Sequence, residues 1–181
     1  SASRFAKPNE KPVHWVELSS FSIDRTHVTN RLFGQFVQET GYVTTAEVPP
    51  KWEELAVQLP PDTPRPPPTA LVAGGMVYVG QSRPRFEQEY LRAWAFVPGA
   101  TWRKPLGPQS GLNGLEDHPV VQVSYVDAMA YARWCGRGLP TEAQFEYAAR
   151  GGLVQKDFAW GDRFRDTTQE MAQTWENDRL G

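Results

Sequence analysis

The stretch Leu139-Pro140-Thr141-Glu142-Ala143-Gln144-Phe145-Glu146-Tyr147-Ala148-Ala149-Arg150-Gly151-Gly152 decides the reading of this chain. Thr141 is placed to cap a helix, because its hydroxyl can accept from the free backbone donors of the first turn, and Gln144 can reach back to the cap. Phe145, Ala148 and Ala149 then supply an inner face until the paired glycines. The same pattern stands just before it. Ser124 opens a helix with Asp127 three residues on, Met129, Ala132, Trp134 and Cys135 lie near its buried side, and Gly136 ends it. The spacing predicts two helices joined by a tight turn.

Toward the amino terminus, Val120, Val121 and Val123 read as a short β-branched strand leading into Ser124. Thr29 caps a helix in which Leu32, Phe33, Phe36 and Val37 recur at helical spacing until Gly41. Val13 to Ile23 alternates apolar and polar residues and predicts a strand. Met76 to Val79 predicts another brief strand, and Arg83 to Arg92 is charged enough to lie at the surface. Prolines 49, 50, 60, 61, 64, 66, 67 and 68 remove backbone donors, so Val48 to Thr69 reads as an extended loop. A second long loop runs from Ala93 through Trp102 and the turn-rich stretch Pro105 to Gly114.

Composition bounds the function classes. A chain of 181 residues, 40% hydrophobic and 12% aromatic, suits one globular domain. Its formal net charge of −2 builds in no attraction to nucleic acid or to an anionic membrane. The apolar stretch Ala70 to Val79 is interrupted by Gly74 and Gly75 and falls far short of the roughly 20 residues of a membrane-spanning helix. Ser1 to Pro12 reads as a flexible polar segment without the apolar core of a secretory signal. With Cys135 as the single cysteine, no internal disulfide can form, and a cytoplasmic, reducing location is the expectation. Seven tryptophans and sixteen prolines suit a fold of long ordered loops.

These pieces occur in a definite order. Ile23-Asp24-Arg25-Thr26-His27-Val28-Thr29-Asn30 is followed by Phe36-Val37-Gln38-Glu39-Thr40-Gly41-Tyr42, then by Phe96 to Trp102 with Pro105. Asp117-His118-Pro119-Val120-Val121-Gln122-Val123-Ser124-Tyr125, the Leu139 to Gly152 stretch and Trp160-Gly161-Asp162 complete the series. In this order the chain resembles the amino-terminal part of the formylglycine-generating-enzyme (sulfatase-modifying factor) domain, in its bacterial style, from about Val13 to the end. The downstream family phrases, Gly-Asn-Val-Trp-Glu-Trp, Arg-Gly-Gly-Ser with two reactive cysteines, and Gly-Phe-Arg, are not found here.

The resemblance implies an α+β, loop-rich, C-type-lectin-like fold, incomplete at its C-terminus, with residues 13–181 forming the first part of the domain. It implies a copper-dependent oxidase that converts the cysteine of a sulfatase Cys-x-Pro-x-Arg segment to formylglycine with molecular oxygen. Copper(I) suits paired thiolates, a soft ion with soft ligands. Cys135 has no second cysteine beside it, so the expectation is that this chain contributes no catalytic residue and no metal position. Calcium and copper belong to the full-length relatives. The resemblance places Trp94, Trp102, Arg103, Ser110 and His118 at the peptide groove. Where many members carry adjacent tryptophans, this chain has Ala93-Trp94. A sulfatase-type peptide is the implied partner, with a second half or second chain completing the domain. Without it, an exposed sheet edge and uncovered apolar surface would leave marginal stability.

Structural readings stand beside these. Trp94 and Trp102 more often pack than bind ligand, and His118 before Pro119 is a common turn residue. Asp127, Thr141 and Gln144 read as caps without chemistry, Cys135 as a small buried hydrophobe, and Asp162 as part of a turn. Arg133, Arg137 and Arg150 read as solvated or paired with Glu142 and Glu146 before they read as an anion site. The alternative function is a non-catalytic lectin-like module that binds a peptide or partner. An ergothioneine-type sulfoxide synthase would need helical histidine pairs that His14, His27 and His118 do not supply.

Overall fold

The structure is a computed structural model, and it describes residues 8, 11–12, 14–80, 93–163 and 171. The chain divides into two units, Thr26–Leu139 and a second made of Ser1–Arg25 with Pro140–Gly181. The boundary falls between the two helices expected to be joined by a tight turn, so each belongs to a different unit. The Ser1 to Pro12 and Arg83 to Arg92 readings lie largely or wholly outside the described residues.

In the first unit, helix α1 runs Asn30–Thr40. The hydroxyl of Thr29 accepts from Leu32 N–H, and Gly41 closes the helix at φ 68°, a left-handed geometry that glycine reaches without steric cost. The first two amides of α1 find partners in a neighbouring segment, since Asn30 and Arg31 N–H donate to the carbonyls of His118 and Glu116, both at 2.9 Å. The Arg31 guanidinium donates twice to the Asp117 carboxylate, at 3.0 and 3.1 Å, and pins that segment to the helix start.

Phe33, Phe36 and Val37 on α1 meet Trp102 to form the core, with Val28, Tyr42, Leu112, Val120, Val123, Ala130 and Tyr131 packed around it. Phe33 meets Trp102 edge to face at 5.3 Å and stacks with Tyr131 at 5.9 Å. Leu32, expected on this face, is exposed. Helix α2, Trp52–Ala56, interrupts the stretch read as continuous loop, with Glu53 and Glu54 in its first turn, where carboxylates favour the helix dipole. A 3-10 turn at Pro68–Ala70 follows.

Strands β1, Gly74–Tyr78, and β2, Trp94–Pro98, pair antiparallel in the register Met76 with Phe96 and Tyr78 with Trp94. The second strand corrects the reading of Ala93 to Val97 as loop. Val77 is buried on one face, while Met76, Trp94 and Phe96 are exposed on the other. Ala93 itself is buried and its carbonyl accepts from Val79 N–H, so the position of the missing second tryptophan is an interior one here.

The strand expected at Val120 to Val123 does not form. One bridge, Thr29 with Pro119, is made, and then Gln122 takes φ 58°, which breaks the extended backbone. The Gln122 amide joins strand β1 to the loop at Pro105, donating to the carbonyls of Met76 and Pro105, both at 3.0 Å. A Cβ at Gly75 would collide with Gln122 Oε1, so a larger residue there would displace the Gln122 amide from these bonds. Helix α3, Tyr125–Trp134, follows with the Ser124–Asp127 capping box intact, and Ala132 is its buried apolar residue. Gly136 takes φ 68° beyond its end.

The second unit contains helix α4, Glu142–Arg150, with the Thr141–Gln144 capping box as read and Gly151 left-handed at its end. Its expected inner face is not buried, and Phe145 is 56% exposed. The strand read at Val13 to Ile23 is likewise not formed over its described residues, and Trp15 is 94% exposed. Phe21 meets Tyr147 edge to face at 6.2 Å. Arg150 pairs with Glu146 at 2.8 Å, as the structural reading had it. Asp162 accepts from Lys156 at 2.6 Å beside the Phe158–Gly161 bridge, which is a turn. Among the described residues no helix is long and apolar enough to cross a membrane.

The Arg31–Asp117 pair gives a pH prediction. Hydrogen bonding to Arg31, and then its charge, holds Asp117 below the ordinary carboxylate range. A carboxyl depressed by folding stabilises above its unfolded value and loses that contribution as pH falls through its folded value. Both side chains are more than half exposed, so the effect is small. Asp117→Asn is expected to lower the thermal midpoint slightly at neutral pH, and the gap to the parent chain should close on acidification. A gap that widens toward low pH would contradict this sign.

Candidate functional site

The site grows from a tight loop. Thr101 and Lys104 exchange backbone hydrogen bonds at 3.1 and 3.0 Å, leaving Trp102 and Arg103 at the tip. Successive side chains there point different ways: Trp102 is 4% exposed in the core, and Arg103 is half exposed. The indole lies against Gly34, where an added Cβ would stand 3.6 Å from the ring. Its Nε1 is buried without a hydrogen-bond partner among the described residues.

Arg103 returns over the outer face of that indole, with Cζ 4.2 Å from the ring centroid, a cation–π geometry. Its Nη1 donates to Glu47 Oε1 at 3.0 Å. The other Glu47 oxygen accepts from Thr44 N–H at 2.9 Å and Thr44 Oγ at 2.7 Å, closing a capping box on the 3-10 turn Thr45–Glu47. Arg103 is therefore held on its face by Trp102 and on one edge by a carboxylate that is itself fixed.

Behind this turn stands Asp127, fully buried. Its Oδ1 accepts from Tyr42 Oη at 3.0 Å, Thr45 N–H at 3.0 Å and Thr45 Oγ at 3.1 Å, and its Oδ2 from Ser124 N–H at 2.7 Å. Burial, and then the bond to Asp127, raise the Tyr42 phenol above its ordinary value. Asp127 thus caps α3 as read, and it also joins the Tyr42–Glu47 segment to that helix.

The other sequence candidates lie apart from this cluster in what holds them. Trp94 stands on the exposed face of β2 at 43% exposure, edge to face with Tyr78 at 5.6 Å and flanked by Met76 and Phe96. Ser110 accepts from Leu106 N–H and donates to Gly107 O, which closes its own turn. His118 is exposed, and its backbone carbonyl serves Asn30. Hydrogen bonds join Arg103 to Glu47, while Trp94, Ser110 and His118 are each held by their own neighbours. Tyr42, Thr44, Thr45 and Glu47 were not singled out from the sequence, although Thr44-Thr45-Ala46-Glu47 carries the capping-box spacing.

A copper–thiolate pair does not fit this chain, because Cys135 is its single cysteine and its thiol contacts Ala132 O at 3.3 Å. Among the described residues no group of three or more His, Cys, Asp or Glu is placed to hold a metal ion.

Residues 2–179 match the sulfatase-modifying factor enzyme 1-like domain. The chain is 44% identical over 169 residues to the formylglycine-generating enzyme of Mycobacterium tuberculosis, covering 93% of this chain and 54% of that protein. It is 42% identical over 171 residues to the Streptomyces coelicolor formylglycine-generating enzyme, covering 92% and 48%, and 40% identical over 172 residues to that of Thermomonospora curvata, covering 95% and 51%. The chain spans about half the length of the curated relatives it matches.

Proposed function

Because the chain belongs to the formylglycine-generating-enzyme (sulfatase-modifying factor) family, we propose that it holds the extended sulfatase peptide on which that family acts, on a C-type-lectin-like scaffold. The observation that carries this reading is the exposed apolar strip of Met76, Trp94 and Phe96 on a strand pair whose opposite face carries the buried Val77 and the half-buried Ala95 and Val97. An extended peptide offers few side chains to a flat surface, and an indole supplies large contact area at small entropic cost. Arg103 adds oriented N–H donors on the same unit. The relatives carry the name formylglycine-generating enzyme, which favours this family reading over the alternative of a non-catalytic lectin-like peptide- or partner-binding module. A cytoplasmic location, from cysteine usage, goes with the proposal.

The thiolate pair that the family's oxidation requires is not supplied by a chain with one cysteine. The roles left to these residues are binding and orientation. The test is a titration of the 181-residue chain with a fluorescent Cys-x-Pro-x-Arg peptide, beside mass spectrometry of that peptide under oxygen with copper(I). We expect binding that Trp94→Ala weakens about tenfold, as loss of a well-placed aromatic anchor does. We also expect no formylglycine from the chain alone. Unchanged affinity in the Trp94 variant would overturn the strip as the binding surface, and formylglycine formation would overturn the division of roles.

A further inference from the structure

Resting on the peptide-holding reading, we infer that Glu47 is a positioning and specificity-determining residue: it fixes the Arg103 guanidinium over the Trp102 ring and offsets its charge, so the site takes neutral peptide oxygens without selecting acidic side chains. The geometry supports each part. One Arg103 edge is bound to Glu47 at 3.0 Å, and the Trp102 ring lies 4.2 Å below. Half of the Arg103 side chain is nonetheless exposed, which leaves N–H donors aimed away from Glu47 for a ligand. Glu47 is the less exposed partner, at 23%, and Thr44 holds its second oxygen through two bonds. The carboxylate is thus the fixed member of the pair and the guanidinium the presented one.

A bare arginine at a peptide surface would select carboxylates by charge, with steep dependence on salt. A neutralised, stacked arginine donates hydrogen bonds in a set direction and is nearly indifferent to ligand charge. The two cases separate experimentally without any catalytic readout. The 181-residue chain is titrated by fluorescence anisotropy with Cys-x-Pro-x-Arg peptides in which a glutamate is moved through the x and flanking positions, at low salt and at about 0.3 M salt. In the parent chain we expect the acidic and neutral peptides to bind within about twofold of one another at both salts. In Glu47→Gln, which keeps the shape and removes the charge, the best acidic peptide should gain about tenfold over the neutral one at low salt, and the gain should fall away at high salt. Adding Arg103→Gln to that variant should abolish the gain.

Equal loss of affinity for every peptide in Glu47→Gln would mean that Glu47 is only structural and would overturn the inference. So would a salt-dependent preference for acidic peptides in the parent chain. If Glu47→Gln fails to fold, Glu47→Ala removes the same charge and should give the acidic peptides the same salt-dependent gain over the neutral one; no gain overturns the inference. A parent chain that binds none of the peptides would overturn the peptide-holding reading itself, an outcome distinct from binding with the wrong charge response.

Discussion

Asp127→Ala is expected to lower the thermal midpoint by roughly 10 °C, the equivalent of about 3 kcal/mol for a chain of this size. The carboxylate is fully buried and accepts from Ser124 N–H, Tyr42 Oη and both donors of Thr45. Truncation leaves several of these donors without the acceptor that a fully buried carboxylate supplies. It also removes half of the α3 capping box, a further loss of about 1 kcal/mol in typical helices. Asp127→Asn should recover little, because one oxygen becomes an NH2 facing a backbone donor. The measurement is thermal denaturation by circular dichroism. A midpoint within about 2 °C of the parent would show that Tyr42 and Thr45 find other partners and that Asp127 is a cap alone.

This residue also shows what the sequence could and could not disclose. The capping boxes at Ser124 and Thr141 were legible because a cap is local: acceptor and donor lie three residues apart, and the spacing is the mechanism. Asp127 was therefore read correctly as a cap, while its bonds to Tyr42 and Thr45, more than eighty residues away, had no local signature. Strands suffered for the same reason. Alternation at Val13 to Ile23 and the valines before Ser124 describe segments that suit a ladder, but a ladder needs a partner, and Gln122 at φ 58° takes its segment out of the extended region. The helix at Trp52–Ala56 was hidden by the surrounding prolines, none of which lies inside it. The family phrases were legible as an ordered series, and residues 2–179 match that family. Of the candidate site, Arg103 and Trp102 were named from those phrases. Glu47 was not, because the Thr44–Glu47 spacing marks a turn and does not tell which cation the free carboxylate oxygen meets.

Trp102→Ala is expected to be the most damaging apolar substitution, costing on the order of 4 kcal/mol, or about 12 °C in the midpoint. The ring packs in the α1 core, edge to face with Phe33 and against Gly34. Trp102→Phe should cost less than half as much. Its indole Nε1 has no hydrogen-bond partner among the described residues, so deleting the N–H leaves no donor or acceptor stranded among them, and the phenyl ring keeps most of the buried area. The phenyl variant also keeps a face for Arg103, whereas the alanine variant removes it. Peptide affinity should therefore survive in Trp102→Phe far better than in Trp102→Ala, even when both are measured well below their midpoints. If the phenylalanine chain is as unstable as the alanine chain, the indole nitrogen contributes a bond in solution and Trp102 is anchored by polarity as well as area. If it is stable yet binds no peptide, the extended indole face under Arg103, and not the aromatic ring as such, orients the guanidinium.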